Sequence, residues 1–482
     1  MTRGENMNSL YRDLRKLVDK EEKSGNQEQR WRLNFHIMPP IGWLNDPNGL
    51  CFFKGEYHFF FQYSPFNPNG GLKFWGHYKS KDMLHWEYMK TALFPDQPYD
   101  CHGVYSGSAY VENDVMYLYY TGNVKYEGNY NYITDGRGSN TIYAECKDGV
   151  HIENKQCLLE NKDYPEEMTC HVRDPKVWKE ENNYYMVLGA RSKEDIGQVL
   201  LYCSKNKKNW KLQNILKSKE KFGYMWECPD LFLLDDTRIL SVSPQGVEAQ
   251  EKKYLNIYQS GYYILEGDFK EKYELSEFVE WDKGFDFYAP QTFEDSKGRR
   301  ILVGWMGMPD CDEYYINPTV QYGWQHAFTM PRVLSIQNGK VFQTPIEEMK
   351  RLRKGKTNFS NKVTCESCFE LLIENIEKDC KIKIEEDVIL EYNRDKKEFK
   401  LQFTGNIGAG RTKRYADLKE CKNIRVFADY SSLEIFLNDG EEVLTTRYYP
   451  QNEKVEVIVE CENSKNSIWQ LEKCNWKWGE EV

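Results

Sequence analysis

Three acidic residues with similar neighbours are spread over the first half of the chain. They lie in the motifs Asn45-Asp46-Pro47, Arg173-Asp174-Pro175 and Glu227-Cys228-Pro229. Clustered carboxylates bind hard cations such as calcium. They also cleave glycosidic bonds, where one carboxylate attacks the anomeric carbon and another protonates the leaving oxygen. Any one motif alone is equally consistent with a polar turn, because Asn, Asp, Pro and Gly dominate turns.

An internal repeat indicates that these acids converge. Five aromatic-rich runs begin at residues 56, 115, 184, 238 and 300, each after a turn signal and another short strand. This spacing of roughly 55 to 70 residues is typical of the blades of a β-propeller. The triplets that precede the five first strands are Asn45-Asp46-Pro47, Tyr105-Ser106-Gly107, Arg173-Asp174-Pro175, Glu227-Cys228-Pro229 and Tyr288-Ala289-Pro290. Innermost strands of a propeller begin at the same end of the axis, so we expect Asp46, Asp174 and Glu227 at equivalent positions.

The chain divides into four segments by pattern. Residues 1–30 form an N-terminal extension, with apolar residues at helical spacing between positions 7 and 24. Residues 31–345 carry the repeat, and residues 346–356 look like a linker. Residues 357–482 return to alternating strands and predict a β-sandwich. We therefore expect an all-β protein, a five-bladed β-propeller followed by a β-sandwich, with a short N-terminal helix.

The composition of the chain limits the classes of molecule that the protein is expected to bind. A net charge of -10 argues against nucleic acid and against an anionic membrane surface. No apolar run approaches the roughly 20 residues that cross a bilayer. Residues 1–30 lack the apolar core of a secretory signal, so we expect a cytoplasmic protein, a monomer or homodimer, whose fourteen cysteines are reduced. The single C-x-x-C, at Cys365 and Cys368, lacks a second pair, so we predict neither a metal nor a cofactor.

The motifs resemble those of glycoside hydrolase family 32, the invertase and fructan-hydrolase group. Residues 43–49, 173–175 and 227–229 match three signatures of that family, and residues 431–440 resemble its sandwich domain. Val172 stands where Phe is usual. The resemblance implies that Asp46 is the nucleophile and Glu227 the general acid and base. It implies that Asp174 binds fructose hydroxyls and stabilises the transition state, and retention would place the carboxyl groups of Asp46 and Glu227 about 5 to 5.5 Å apart.

The resemblance also implies a sugar site. The candidate lining residues are Trp43, Asn45, Gln62, Trp75, Tyr105, Ser106, Arg173, Tyr288 and Trp305. Each aromatic among them could instead be packing. Within the family, residues 36–40, 71–78, 223–227 and 284–291 are most similar to members that hydrolyse sucrose 6-phosphate. For that substrate we predict that Lys73 or Arg191 helps to hold the phosphate, because phosphate recognition requires a positively charged side chain.

Several alternatives stay open from the sequence. An invertase acting on unphosphorylated sucrose fits almost as well, and a fructan hydrolase fits less well. A non-catalytic sugar-binding propeller would need the aromatics but not three acids. An arabinan-cleaving propeller would also use three acids, but residues 43–49 and the C-terminal sandwich argue against it.

Overall fold

Alternating apolar strands joined by tight turns build five consecutive sheets in the first part of the chain. The computed structural model describes residues 8–25, 30–474 and 476–478. The first sheet contains Gly42–Phe53, Glu56–Ser64, Phe74–Ser80 and Trp86–Leu93, extended by Trp324–Gln325 and Lys477–Trp478. The second contains Val104–Glu112, Val115–Lys125, Arg137–Cys146 and Ile152–Leu159. The third contains Met168–Glu180, Asn183–Ser192, Gly197–Ser204 and Lys211–Leu216.

Two further sheets complete this part. The fourth contains Met225–Leu234, Thr237–Gln245, Gly261–Gly267, Tyr273–Leu275 and Val279–Glu280. The fifth contains Tyr288–Glu294, Arg300–Met306, Ala327–Phe328, Arg332–Gln337 and Lys340–Pro345. The first strands of the five sheets contact one another in sequence, and the fifth contacts the first, so they close a ring. This part of the chain is thus a five-bladed β-propeller, and each predicted aromatic-rich run is the second strand of its blade.

A β-sandwich follows the propeller. One of its sheets runs in the order Arg353–Phe359, Lys465–Leu471, Phe369–Glu374, Asn423–Asp429, Ser432–Leu437 and Glu442–Arg447. The other runs in the order Lys362–Glu366, Lys454–Cys461, Cys380–Ile384, Val388–Asn393, Glu398–Phe403 and Lys413–Asp417. Short 3₁₀ helices are Asn161–Asp163, Pro318–Tyr322 and Glu347–Leu352. The sandwich begins at Arg353, inside the segment predicted as a linker, so one short helix is all that separates the two parts.

Buried charges join the sandwich to the propeller. His36 lies between Asp429 and Glu434, with ring nitrogens 2.8 Å from each carboxylate. Arg332 of the fifth blade donates to Glu434 Oε2 at 3.0 Å and to Asp282 Oδ2 at 3.1 Å. All five side chains are buried. Such a network is stable only when every charge has its partner, so it fixes one relative position of the two parts.

The N-terminal helix Ser9–Ser24 packs against the outside of the first blade. Asn8 caps it by accepting from the backbone N–H of Tyr11 at 2.8 Å. Glu22 accepts hydrogen bonds from the hydroxyls of Tyr63 and Tyr88 at 3.1 and 2.6 Å. Residues 1–7 and 26–29 of the predicted extension lie outside the described residues. Over the part of the chain that is described, no helix combines the length and apolarity needed to span a membrane.

Candidate active site

A β-bulge interrupts the innermost strand of every blade at the level of the predicted acids. In each blade two consecutive residues of that strand face a single residue of the next one. The bulged pairs are residues 45–46, 105–106, 174–175, 228–229 and 289–290. The bulges explain why the innermost strands begin before the acids, at Gly42, Met168 and Met225, and do not start after them as the sequence suggested. A bulge breaks the alternation of side chains and re-aims one of them.

Strained backbone accompanies three of these bulges. Asp174, Cys228 and Ala289 have φ angles of 64°, 46° and 47°. Residues other than glycine rarely adopt positive φ, and each of these precedes a proline. Strain of this kind persists only where the surrounding structure imposes it, and it concentrates at functional sites. The recurrence at equivalent positions of three blades marks this end of the axis as the candidate site.

The second residues of the triplets form one layer of the site. In this layer the Ser106 hydroxyl donates to Asp46 Oδ2. The thiol of Cys228 lies 3.6 Å from Asp46 Oδ2 and 3.7 Å from Asp174 Oδ2. The backbone N–H of Cys228 donates to Asp174 Oδ2 at 2.9 Å. Asp46 and Asp174 are therefore neighbours that share one thiol.

Three first residues of the triplets, Arg173, Glu227 and Tyr288, form a second layer centred on Glu227. Arg173 donates through Nε and Nη2 to Glu227 Oε1 at 2.9 and 2.7 Å. The Tyr288 hydroxyl donates to Glu227 Oε2 at 2.6 Å, and Gln245 donates to the same oxygen at 2.8 Å. Arg173 also lies 4.0 Å from Asp174 Oδ2, so one guanidinium links the two layers.

The three acids do come together, but not at one equivalent position as the alignment predicted. Asp46 and Asp174 are the second residues of their triplets, whereas Glu227 is the first of its own. Proline follows Asp46 and Asp174 directly but follows Glu227 only after one residue, and this difference in the sequence corresponds to the offset. Asp46 and Asp174 lie within the bulged pairs of their strands, whereas Glu227 directly precedes the bulged pair 228–229 and pairs regularly with Ser243. The bulge breaks the alternation of side chains, so adjacent residues on either side of its boundary can face the same site.

The electrostatics of the site are dominated by burial. Burial raises the pKa of Asp46 above its ordinary value, and the charge of Glu227 adds to the rise while hydrogen bonds from Ser106 and Asn45 oppose it. Burial likewise raises the pKa of Asp174, and the Arg173 guanidinium opposes that rise. Arg173 in turn donates through Nη1 to His171 Nδ1 at 2.8 Å. Burial and the charge of Arg173 lower the pKa of His171 to about 2, so His171 is neutral and leaves the positive charge of Arg173 to the acids.

The donors around the acids disfavour the calcium alternative. Oxygens of all three carboxylates accept hydrogen bonds from hydroxyl, amide or guanidinium groups of the protein. A hard cation needs those lone pairs and would be repelled by Arg173. The arrangement suits acid–base and nucleophilic chemistry better than ion binding.

Three predicted lining residues form a hydrogen-bonded chain that ends at Asp46. The Trp43 indole N–H donates to Asn45 Oδ1 at 2.8 Å. The Asn45 amide donates to Gln62 Oε1 and, at 3.1 Å, to Asp46 Oδ1. Asn45 and Gln62 are buried, and Trp43 is partly exposed. This chain fixes the carboxylate of Asp46 from the side opposite Ser106.

The remaining aromatics differ in what they offer a ligand. Trp305 is buried beside Tyr288 and Trp43, with ring centroids 6.1 and 5.7 Å away, and its indole N–H has no acceptor among the described residues. Tyr105 is partly exposed. Trp75 is fully buried and donates its N–H to the Tyr105 carbonyl oxygen at 3.1 Å. In this structure Trp75 therefore holds the backbone of Tyr105. It does not line the sugar site as predicted.

The two cations predicted to hold a phosphate have different surroundings. The Lys73 ammonium lies 5.0 Å from the centre of the Trp43 ring and forms no ion pair among the described residues. Burial lowers its pKa to about 7, against the attraction of Asp46. Arg191 donates to Asp195 Oδ1 at 2.7 Å and lies over the Tyr224 ring. The charge of Arg191 is thus already balanced, which favours Lys73.

Four residues beside the acids or beside Arg173 were absent from the sequence prediction. They are Cys228, His171, Gln245 and Arg137. Cys228 carried a usable signal, because it stands at the aligned position of Asp46 and Asp174. His171 precedes Arg173 by two residues in the same strand, but nothing in the sequence marks it. Gln245 and Arg137 come from neighbouring strands, and only the strand pairing brings them to the site.

Comparison with known families agrees with this geometry. The Glycosyl hydrolases family 32 N-terminal domain matches residues 36–345, and the family 32 C-terminal domain matches residues 381–474. The chain belongs to glycosyl hydrolase family 32 and is a glycoside hydrolase of the invertase type. The predicted family is confirmed.

Individual relatives cover nearly the whole chain. A sucrose-6-phosphate hydrolase of Bacillus subtilis is 40% identical over 477 residues, which is 94% of this chain and 97% of the relative. The structure of a sucrose-6-phosphate hydrolase from Lactobacillus gasseri superposes with a TM-score of 0.86 at 28% identity, covering 95% of this chain and 96% of that one. The structure of a mutant Bombyx mori GH32 beta-fructofuranosidase in complex with sucrose superposes with a TM-score of 0.84 at 28% identity, covering 97% of this chain and 99% of that one.

Proposed function

We propose that the protein is a retaining β-fructofuranosidase that hydrolyses sucrose 6-phosphate to glucose 6-phosphate and fructose. The observation that carries the proposal is the pair of adjacent layers, with Asp46 and Asp174 in one and Glu227 in the other. A retaining glycosidase needs one carboxyl group on each side of the scissile bond. The similarity to sucrose-6-phosphate hydrolases over more than nine-tenths of the chain supports the assignment of sucrose 6-phosphate as the substrate.

Asp46 acts as the nucleophile. A carboxylate oxygen attacks C2 of the fructosyl unit, and the bond between C2 and the bridging oxygen breaks. Ser106, Asn45 and the Cys228 thiol hold this carboxylate, so it needs no reorganisation before attack. The covalent fructosyl-enzyme is the intermediate.

Glu227 moves the proton. It gives a proton to the leaving oxygen of glucose 6-phosphate in the first step and takes one from water in the second. That water attacks C2 and releases Asp46. Tyr288, Gln245 and Arg173 fix the orientation of the carboxyl group throughout. Asp174 accepts hydrogen bonds from fructose hydroxyls, and its negative charge stabilises the oxocarbenium-like transition state.

The substrate has consequences for location and for a phosphate contact. A doubly charged sugar phosphate does not cross a bilayer unaided, so we propose that the enzyme works in the cytoplasm. We also propose that it is a monomer or a homodimer. Lys73, which forms no ion pair among the described residues, is proposed to attract the phosphorylated substrate. Lys73→Met is expected to weaken hydrolysis of sucrose 6-phosphate more than that of sucrose. Equal losses on the two substrates would remove Lys73 from the proposal.

Two experiments test the mechanism. Glu227→Gln is incubated with β-fructofuranosyl fluoride, whose leaving group needs no proton, and mass spectrometry is expected to detect a fructosyl adduct on Asp46. Asp46→Asn is expected to form no adduct and no fructose. Methanol added to the unaltered enzyme is expected to yield methyl β-fructofuranoside, the retained anomer. The inverted anomer, or wild-type turnover by Asp46→Asn, would refute the assignment.

Unphosphorylated sucrose is the second candidate substrate. The observation in its favour is that the acids and the fructose-facing residues make no use of a phosphate. Side-by-side kinetics on sucrose and sucrose 6-phosphate, with product analysis for fructose, separate the two. A higher kcat/KM for sucrose would make the protein an invertase by preference.

A further inference from the structure

An unusual pair of cations stands beside the site on the second blade. Arg137 is the first residue of the strand Arg137–Cys146, and it lies directly opposite Lys125, the last residue of Val115–Lys125. Like charges directly opposite each other destabilise an antiparallel pair. The sheet itself therefore gives no reason for this arrangement.

The guanidinium of Arg137 is fixed on one side and unpaired on the other. Its Nε donates to Oδ1 of the buried Asn123 at 2.9 Å, and the Asn123 amide donates to the His102 carbonyl oxygen at 3.1 Å. The group lies 5.7 Å from the centre of the Tyr105 ring. Within residues 30–474, no carboxylate forms an ion pair with Arg137, and no hydrogen bond occupies its two terminal nitrogens. Arg137 is half-buried, and Asn123 holds the guanidinium so that its terminal N–H groups are available to an acceptor from outside the chain.

The surroundings concentrate positive charge in a chain with a net charge of -10. Burial lowers the pKa of Arg137, and the neighbouring Arg173 adds to that effect. Lys125 is exposed, and partial burial and then the charge of Arg137 lower its pKa as well. The nearest acid in sequence, Asp135, is exposed and does not pair with Arg137. An anion bound between Arg137 and Lys125 would relieve this repulsion.

The position of Arg137 relative to the acids decides which half of a substrate it meets. Tyr105, beneath the guanidinium, directly precedes Ser106, which donates to Asp46. Arg137 is also close enough to Glu227 for the two charges to attract. Glu227 protonates the leaving oxygen in the proposed reaction, so groups on its side face the leaving glucosyl half. Arg137 therefore lies where that half would carry a charge.

We propose that Arg137, supported by Lys125, binds the 6-phosphate of the glucosyl half and sets the preference for sucrose 6-phosphate over sucrose. This assignment rests on the proposed function. A guanidinium with two parallel N–H donors matches the oxygens of a phosphate, and Asn123 holds it in place so that little entropy is lost on binding. Sequence spacing did not indicate this site, because Arg137 and Lys125 meet only through the register of their strands.

The test is a specificity ratio measured on the full-length protein. Arg137→Met is expected to lower the ratio of kcat/KM for sucrose 6-phosphate to kcat/KM for sucrose by about ten- to a hundredfold, the range for a lost hydrogen bond to a charged group. Arg137→Lys keeps the charge without the fork and is expected to fall between. Lys125→Met is expected to lower only the phosphorylated rate, by about threefold. Lys147→Met is the matched control, since Lys147 directly follows the strand Arg137–Cys146, at the end away from Arg137, and pairs with Glu153.

Product inhibition gives a second readout that a purely structural role would not move. Glucose 6-phosphate is expected to inhibit the unaltered enzyme more strongly than glucose does, and Arg137→Met is expected to abolish the difference. If Arg137→Met instead loses the same factor on both substrates, Arg137 serves only as a counter-charge to Glu227, and the assignment is overturned. Equal kcat/KM of the unaltered enzyme on both substrates overturns it as well. In either case fructose is still released, so the proposed function stands; absence of hydrolysis of both substrates would refute that function itself.

Discussion

Replacing Arg173 by methionine is the sharpest test of how the two layers cooperate. Among the described residues, Arg173 is the one side chain that contacts both Glu227 and Asp174, at 2.7 and 4.0 Å. The Arg173 and Glu227 side chains are 9% and 16% exposed, so water replaces little of the lost interaction. Removing one partner of such a buried pair costs about 3 to 5 kcal/mol. When that loss appears in full in the transition state, kcat/KM falls by about a hundredfold to a few thousandfold.

The pH profile should change in a direction that the structure fixes. Burial raises the pKa of Asp174, and Arg173 opposes the rise. Without Arg173 the pKa of Asp174 rises further, so a smaller fraction of Asp174 is ionised at any given pH. Because the ionised form stabilises the transition state, Arg173→Met is expected to lose more activity at pH 6 than at pH 8. The acid limb of kcat/KM moves to higher pH.

The assay is kcat/KM on sucrose and sucrose 6-phosphate from pH 5 to pH 9, with thermal unfolding to confirm that the variant is folded. Both substrates are expected to lose the same factor, in contrast to Arg137→Met. Arg238→Met is the matched control, since Arg238 is a similarly buried arginine that pairs with Glu180 in another part of the propeller. A loss below about fivefold, or one that is equal at every pH, would refute the role given to Arg173.

Two further predictions concern the helix and the acid. Burial raises the pKa of Glu22, which accepts from Tyr63 and Tyr88, to about 7, so between its ordinary pKa and pH 7 the folded chain binds a proton that the unfolded chain has lost. The free energy of unfolding therefore falls as pH rises through that window, by at most about 3 kcal/mol. Thermal melts of Glu22→Gln are expected to lack this fall. If the unaltered protein and Glu22→Gln show the same pH dependence of stability, the role given to Glu22 is wrong. Tyr288→Phe removes the hydroxyl 2.6 Å from Glu227 and is expected to lower kcat/KM about tenfold or more on both substrates. A change below about twofold would show that this hydrogen bond does not orient Glu227.

Much of the fold could be predicted because the propeller repeats one local pattern. Each blade is a hairpin signal between apolar runs, and strand formation depends on that local alternation. The start of the sandwich could not be placed as well. Nothing in the sequence ends the linker at Leu352, because Arg353 joins a strand only through its pairing with Leu471.

The sequence by itself indicated which acids come together, since each stands near the start of a repeat and has a proline one or two residues further on. Tertiary structure alone decided how they are arranged. The one-residue offset of Glu227 places it among Arg173, Tyr288 and Gln245, and Asp46 and Asp174 share the Cys228 thiol. Burial of Trp75 and the missing partner of Arg137 were likewise invisible in the sequence. Local spacing fixes which residues a strand contains, whereas charges and contacts at the axis depend on five strands that are distant in sequence and meet only when the ring closes.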